Sequence, residues 1–192
     1  MYKLVIKSII DFSVSLVVLI VLFPILFGVT VLLIIANDGK PFFFQLRPGR
    51  NERIFKIIKF KTMNDKRDSK GDLLPDVYRL TKIGQFVRKI SLDELPQFLN
   101  VLMGQMSLVG PRPEREFFKD QIIERAPIYQ RLHRIKPGIT SWGQIKYGYA
   151  SNVEEMIDRM KYDILYLENM SLGLDFKIML YTVLIMIQGR GK

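Results

Sequence analysis

From Phe12 to Asn37 the chain carries no charged residue, and Pro24 sits near the centre of that run. As helix, about 26 residues reach roughly 39 Å, enough for a hydrocarbon core of about 30 Å. Pro24 interrupts such a helix, because it removes one backbone donor and its ring clashes with the carbonyl four residues back. In lipid that carbonyl must find another partner. Lys3 and Lys7 precede the run, and Lys40, Arg47, Arg50 and Arg53 follow it. Basic residues prefer the cytoplasmic side, so a single span has no favoured orientation; a helix–break–helix that enters one leaflet and returns satisfies both flanks. A kinked spanning helix is the alternative. The run is too long for a signal-peptide core, and Leu33-Ile34-Ile35-Ala36 is a poor cleavage site, so residues 1–37 read as a permanent anchor.

Beyond the breaker cluster Asn37–Pro41 the pattern changes. Two β-prone segments, Phe42–Arg47 and Ile54–Thr62, flank Pro48-Gly49-Arg50-Asn51 and predict a hairpin. Lys59 and Lys61, two apart on the second strand, share a face. Residues Asn64–Pro75 read as a mobile polar loop. Ile83, Phe86, Val87 and Ile90 have helical spacing, and Leu95, Phe98, Leu99, Leu102 and Met103 repeat it. Gly110-Pro111-Arg112-Pro113 forces a rigid non-helical turn, and Lys136-Pro137-Gly138-Ile139-Thr140 reads as another. Ser151 with Glu154 forms a capping box before a stripe of Val153, Met156, Ile157, Met160, Ile164 and Leu167. Residues Phe176–Ile187 are apolar almost all round but too short to span. With Lys177, Arg190 and Lys192 around them they suit an interfacial helix at 174–188; a buried core helix fits the length equally. The fold class expected is α+β, mainly α: a proline-broken re-entrant membrane helix (1–37), then a catalytic domain (38–192) with a small β-hairpin and amphipathic interfacial helices.

The length of 192 residues suits one domain plus a membrane element. Lys and Arg number 29 against 19 Asp and Glu, a formal net charge of +10. Nucleic acid, anionic lipid and a phosphorylated substrate all match that sign. The apolar run favours membrane lipid, and no nucleic-acid partner is expected. The chain has no cysteine, which excludes thiol catalysis, disulfides and cysteine-held metals. His133 is the only histidine and reads as a surface residue beside Arg131 and Arg134. Neither a phosphate-binding loop of the Gly-x-x-x-x-Gly-Lys type nor Gly-x-Gly-x-x-Gly is present. Trp142, Tyr147 and Tyr149 suit stacking on a base, packing or interface anchoring.

The candidate chemistry centres on Asp93 and Glu94. Ser91 and Glu94 fit a capping box, which alone explains acids in a first helical turn. The surroundings point further. Arg88 lies five residues upstream, Arg112 is held between two prolines, and Lys59 and Lys61 share a strand face. A carboxylate pair can hold Mg²⁺, which completes its shell with phosphate oxygens and water. Arginine presents a planar bidentate fork to phosphate, and lysine a point charge. These are the parts of a phosphoryl-transfer site in which a carboxylate is the covalent nucleophile. A dispersed basic surface facing anionic lipid is the competing account of the cations.

With those residues in view, the chain resembles the monotopic phosphoglycosyl transferases, the bacterial sugar transferase family. The resemblance runs over the broken anchor, Phe43–Gly49 with Phe55–Met63, Ser91-Leu92-Asp93-Glu94-Leu95-Pro96-Gln97, Ser107–Pro113, and Lys136–Thr140 with Trp142. It implies transfer of a sugar 1-phosphate from a nucleotide diphosphate sugar, such as a UDP-sugar, to undecaprenyl phosphate, a polyprenol phosphate. Nucleoside monophosphate is released, and lipid-linked glycan assembly begins. It further implies Asp93 as the nucleophile of a phosphosugar–enzyme intermediate and Glu94 as its dyad partner. Mg²⁺ is the implied cofactor on both, with Lys59, Lys61, Arg88, Pro111 and Arg112 toward substrate phosphates and Pro24 as the membrane break. The implied location is the cytoplasmic face of a bacterial inner membrane, and a homo-oligomer is compatible with it. A membrane-bound glycosyltransferase that releases nucleoside diphosphate and a non-enzymatic lipid-binding protein are the competing functions.

Several positions depart from the family pattern. Phe23 stands where many small members carry serine, Lys61 where arginine is usual, and Ser141 and Gly143 in place of glycine and alanine around Trp142. Gly148 replaces a frequent arginine. The stretch Thr140–Asn152 is similar to the catalytic domains of larger members, so the chain is expected to be either a small enzyme or such a core.

Overall fold

A computed structural model describes residues 2–188 of the chain; Arg190, Lys192 and the side chain of Lys3 lie outside the described set. A short π-helical turn, Tyr2–Ile6, leads into α1 (Lys7–Val21) and α2 (Phe23–Ala36), which bend by 65° at their junction. Pro24 sits in the first turn of α2, where amide donors have no intrahelical acceptor, so its missing N–H is lost at no cost. Backbone bonds carry the chain across: Leu22 N–H donates to Val18 O and Leu26 N–H to Leu22 O, both at 2.9 Å. The break therefore needs no side-chain cap, and Phe23 is no obstacle to it. Among the described residues no single helix is long and apolar enough to cross a membrane, and the bent pair passes only together.

The bent helix pair is built into the body. Val29 and Leu33 of α2 pack on Phe60 and Val87. Lys7 Nζ donates to Asp175 Oδ2 at 2.5 Å and lies 3.8 Å from Asp11. Tyr166 Oη donates to the same Asp175 at 2.6 Å, and Asp11 accepts the Leu108 N–H at 3.2 Å. Lys7 is buried in this cluster, so it is not the solvent-facing flanking charge that the sequence suggests.

The expected hairpin forms from β1 (Phe42–Pro48) and β2 (Ile54–Phe60), antiparallel with Phe42 opposite Phe60 and Pro48 opposite Ile54. Its tip holds Asn51 and Glu52 at positive φ. Alternation sets two faces. Phe55 and Ile57 enter a core with Val101 and Met106, while Phe60 turns the other way, under α2. Residues 64–75 form the expected loop, closed on itself by a bridge between Arg67 and Leu73. It leads to α3 (Asp76–Arg79) and α4 (Lys82–Lys89). Of the α4 stripe Val87 is buried but Phe86 faces outward. A 3-10 turn, Leu92–Glu94, precedes α5 (Gln97–Leu102).

The second half is helical around one small sheet. β3 (Ser107–Val109) is followed by α6 (Glu116–Arg125), a 3-10 stretch Pro127–Arg134, and β4 (Gly138–Thr140). β3 and β4 pair in parallel, Ser107 opposite Gly138 and Val109 opposite Thr140. The expected turn at 136–140 is thus half strand; three residues behind Pro-Gly are too few to show a period. Then come α7 (Trp142–Lys146), α8 (Val153–Asn169) and α9 (Leu172–Ile187). The α8 stripe is as expected: Val153, Met156, Met160 and Ile164 are buried against Ile122, Tyr129 and Leu132. Its cap is one residue off, with Asn152 accepting the Glu155 N–H at 2.9 Å and Glu155 reaching back to the Ser151 N–H at 2.7 Å. In α9 only Asp175 and Ile178 are buried. Phe176, Leu180, Val183, Leu184 and Ile187 are exposed, which rules out the core-helix reading.

Candidate active site

Asp93 and Glu94 occupy the 3-10 turn between α4 and α5. Ser91 enters that turn at φ 55° and makes no side-chain capping bond. The capping-box explanation of the two acids is therefore not realised. Asp93 is buried and Glu94 partly so. Lys59 Nζ meets Glu94 Oε1 at 2.6 Å. By strand alternation Lys59 continues the inward face of Phe55 and Ile57, which is why it arrives under the turn.

The strand is held in place by a residue that sequence reasoning missed. Asn100 of α5 is fully buried. Its Oδ1 accepts from Ile58 N–H at 3.0 Å, and its Nδ2 donates to Lys56 O and Gln105 Oε1, each at 2.7 Å. One amide thus serves a length of β2 and ties the strand bearing Lys59 to the helix that follows the dyad. Nothing in its spacing distinguishes it from a solvent-facing polar residue; only its place among Leu99, Val101 and Leu102 hints at burial.

Arg88 lies in the last turn of α4. Its Nε donates to Thr62 Oγ1 at 2.8 Å. α4 comes so close to Thr62 that a Cβ on Gly84 would lie 2.0 Å from the Thr62 carbonyl oxygen, so only glycine fits there. Lys61 lies beyond the end of β2 and pairs with Asp65 at 2.5 Å, whereas Lys59 pairs with Glu94. The Lys61 carbonyl accepts from Asn37 Nδ2 at 2.6 Å, which fastens the end of α2 to this strand.

Pro111 and Arg112 follow β3, on which α5 packs. The Gly143 amide donates to the Asp163 carboxylate at 2.8 Å, and the Pro113 carbonyl accepts from Arg47 Nη1 at 3.0 Å. Burial pushes Asp163 up to about 6, against the pull of the Gly143 amide, Arg159 and the Arg112 amide. Burial pulls Arg47 down to about 10; Glu114 opposes this, and the nearby Arg112 and Arg115 add to it. His133 is half-buried, not a surface residue: it packs edge-on against Tyr129, 5.3 Å between ring centres, and burial lowers its pKa although Glu52 opposes. Trp142 packs near Tyr181, with Lys146 Nζ 4.8 Å from its ring centre. Tyr149 is exposed.

No group of three His, Cys, Asp or Glu that could hold a metal is found among the described residues. Asp93 and Glu94 instead offer two adjacent carboxylates. That set suits Mg²⁺, which keeps several waters and takes substrate phosphate oxygens alongside one or two carboxylates. Lys59 brings a cation to the same turn through Glu94, and Arg88, bonded to Thr62, is a second cation of the kind that phosphate attracts.

The family described as bacterial sugar transferase matches residues 2–189. The chain is 46% identical over 159 residues to an uncharacterized sugar transferase, EpsL, of Bacillus subtilis (strain 168), covering 80% of this chain and 74% of that one. It is 39% identical over 185 residues to a UDP-glucose:undecaprenyl-phosphate glucose-1-phosphate transferase of Klebsiella pneumoniae (94% and 40%). It is 37% identical over 170 residues to a UDP-N-acetylgalactosamine-undecaprenyl-phosphate N-acetylgalactosaminephosphotransferase of Aeromonas hydrophila (88% and 40%). The chain thus spans about two-fifths of the length of these last two relatives.

Proposed function

The chain belongs to the bacterial sugar transferase family, and from that membership and the dyad turn we propose that it transfers a sugar 1-phosphate from a UDP-sugar to undecaprenyl phosphate. The observation that carries this reading is the buried Asp93 beside Glu94, whose partner Lys59 arrives from a strand packed under the anchor. A carboxylate oxygen of Asp93 attacks the phosphorus that bears the sugar. The bond from that phosphorus to the bridging oxygen breaks, and nucleoside monophosphate leaves. An oxygen of undecaprenyl phosphate then attacks the same phosphorus, the Asp93–phosphorus bond breaks, and the carboxylate is restored. Glu94, oriented by Lys59, would share with Asp93 the binding of Mg²⁺, which would neutralise phosphate charge. Arg88 and Arg112 hold phosphate oxygens, with Pro111 fixing the approach to Arg112.

The setting suits a lipid acceptor. The bent pair α1–α2 and the outward apolar residues of α9 lie in one leaflet on the cytoplasmic side, so the site meets the acceptor's head group at the surface and the nucleotide sugar in water. The 65° bend and the exposed apolar side chains support this placement. The product begins a lipid-linked glycan. The test is the identity of the released nucleotide with UDP-sugars, Mg²⁺ and undecaprenyl phosphate. Uridine monophosphate is expected; uridine diphosphate would mean glycosyl transfer without phosphate, and no release would mean a lipid-binding protein.

A further inference from the structure

A single residue just past β2 fastens α4 at both of its ends. Thr62 is buried. The Thr62 carbonyl accepts from the Thr81 N–H at 3.2 Å and from the Thr81 hydroxyl at 3.3 Å. Thr81 is in turn the N-cap of α4 and accepts the Gly84 N–H at 2.9 Å. At the other end of the helix, Arg88 Nε donates to the Thr62 hydroxyl oxygen at 2.8 Å. Thr81, Gly84 and Arg88 are spaced three and then four residues apart, so they share one face of the helix, and that face meets Thr62. The backbone of Thr62 thus holds the helix, and its side chain holds the guanidinium.

That bond ties Arg88 to the segment that also carries Lys59. Three residues separate Lys59 from Thr62, at most about 11 Å of chain, and Lys59 meets Glu94 at 2.6 Å. Along the chain Arg88 is one turn ahead of the dyad, since its carbonyl accepts from the Ser91 N–H at 3.0 Å. The choice of nitrogen matters as well. A guanidinium is a rigid planar fork. Held through Nε, it turns the edge formed by Nη1 and Nη2 away from Thr62, and that edge can meet two phosphate oxygens side by side. A long side chain fixed in advance also costs less to order when the phosphate arrives.

We propose that Thr62 is a positioning residue: its hydroxyl holds the Arg88 guanidinium through Nε and so aims the terminal nitrogens at a substrate phosphate, without touching substrate. This rests on the function proposed above and on Arg88 holding a phosphate in it. A misplacement of about 1 Å in such a clamp can cost about a hundredfold in rate, so one hydroxyl is enough to matter.

The test is a double-mutant cycle on kcat/KM for UDP-sugar in the membrane-bound full chain, read as uridine monophosphate release, with thermal unfolding run in parallel. Thr62→Val keeps the branched shape and the carbonyl bonds to Thr81 but removes the acceptor of Arg88. It is expected to lower kcat/KM by about tenfold or more alone, and by less than about threefold in an Arg88→Ala background. Thr62→Ser, which keeps the hydroxyl, should stay within about threefold of the unmodified chain. Equal losses in both backgrounds, with Arg88→Ala itself impaired, would mean that Thr62 only supports the fold, and the proposal falls. Arg88→Ala at wild-type efficiency would instead remove the phosphate role of Arg88, and the proposal with it, while the release of monophosphate leaves the proposed function standing. An unmodified chain that releases no monophosphate would overturn both. If Thr62→Val does not fold, Thr62→Cys puts a weak acceptor in the same place; its loss, about threefold or more, must likewise vanish with Arg88→Ala.

Discussion

The dyad turn and the Arg112 segment lie on neighbouring elements and are held in opposite ways. Asp93 and Glu94 sit on a three-residue turn entered through a left-handed serine, and Lys59 meets Glu94 side chain to side chain. Pro111, Pro113 and Glu114 are bonded in turn to β4, β1 and α8, the two prolines through their carbonyls. A side-chain ion pair with both partners partly exposed can exchange for a metal or a phosphate at little cost. A proline-flanked segment held by its own carbonyls cannot rearrange so readily. The contrast is between side chains that can change partners and a stretch of backbone that stays where it is.

That contrast predicts which substitutions act on rate and which on stability. Asp93→Asn lies on the exchangeable side. It should lower kcat by at least about a thousandfold, because the attacking oxyanion is gone, while thermal unfolding shifts by only a few degrees. Loss of fold comparable to the loss of activity would put the turn among the structural elements. Lys59→Gln comes next, with a fall of about ten- to a hundredfold in kcat/KM and partial recovery in Lys59→Arg. Unchanged kinetics would mean that Glu94 is oriented by something else. Asn100→Ala sharpens the other side. It leaves the Ile58 amide and the Lys56 carbonyl without their partner, at about 1–3 kcal/mol for each unsatisfied group. Denaturant unfolding should show a loss of roughly 2–6 kcal/mol, with a smaller effect on kcat/KM than Lys59→Gln. The reverse order would place Asn100 in the chemistry.

The smallest effect concerns the anchor. Pro24→Ala restores a donor and lets α1 and α2 merge into one apolar helix. Since the native chain has no cysteine, Lys3→Cys and Arg50→Cys can be labelled singly in intact cells. Both should be protected from an impermeant reagent, and in Pro24→Ala a fraction of molecules should expose position 3. Labelling on opposite sides without the proline change means a kinked span, and leaves the Asp93 chemistry standing.

What the sequence showed and what it hid follow from the range of the interactions. The hairpin, the α8 stripe and the acid pair were legible because each is a local pattern. Asn100, and the cluster of Lys7, Asp11, Tyr166 and Asp175, join residues far apart in the chain, and such pairs leave no period behind. Lys7 in particular looked like a membrane-flanking charge and is a buried ion-pair partner. β4 was hidden by its brevity. Asp163 had a signal that went unread: it lies three residues after Met160 and seven after Met156, on the apolar face of α8, where an acid must have partners. The capping box at Ser91 was a false local pattern, since the left-handed backbone there turns the motif to another use.

The central claim is that Asp93 carries the sugar phosphate covalently. It is tested most directly by mixing the protein with UDP-sugar and Mg²⁺ in the absence of any acceptor and following uridine monophosphate. The account predicts a burst that stops at no more than one monophosphate per protein and is lost in Asp93→Asn; undecaprenyl phosphate then restarts turnover. No release before acceptor is added, with release beginning only when both substrates are present, would contradict it.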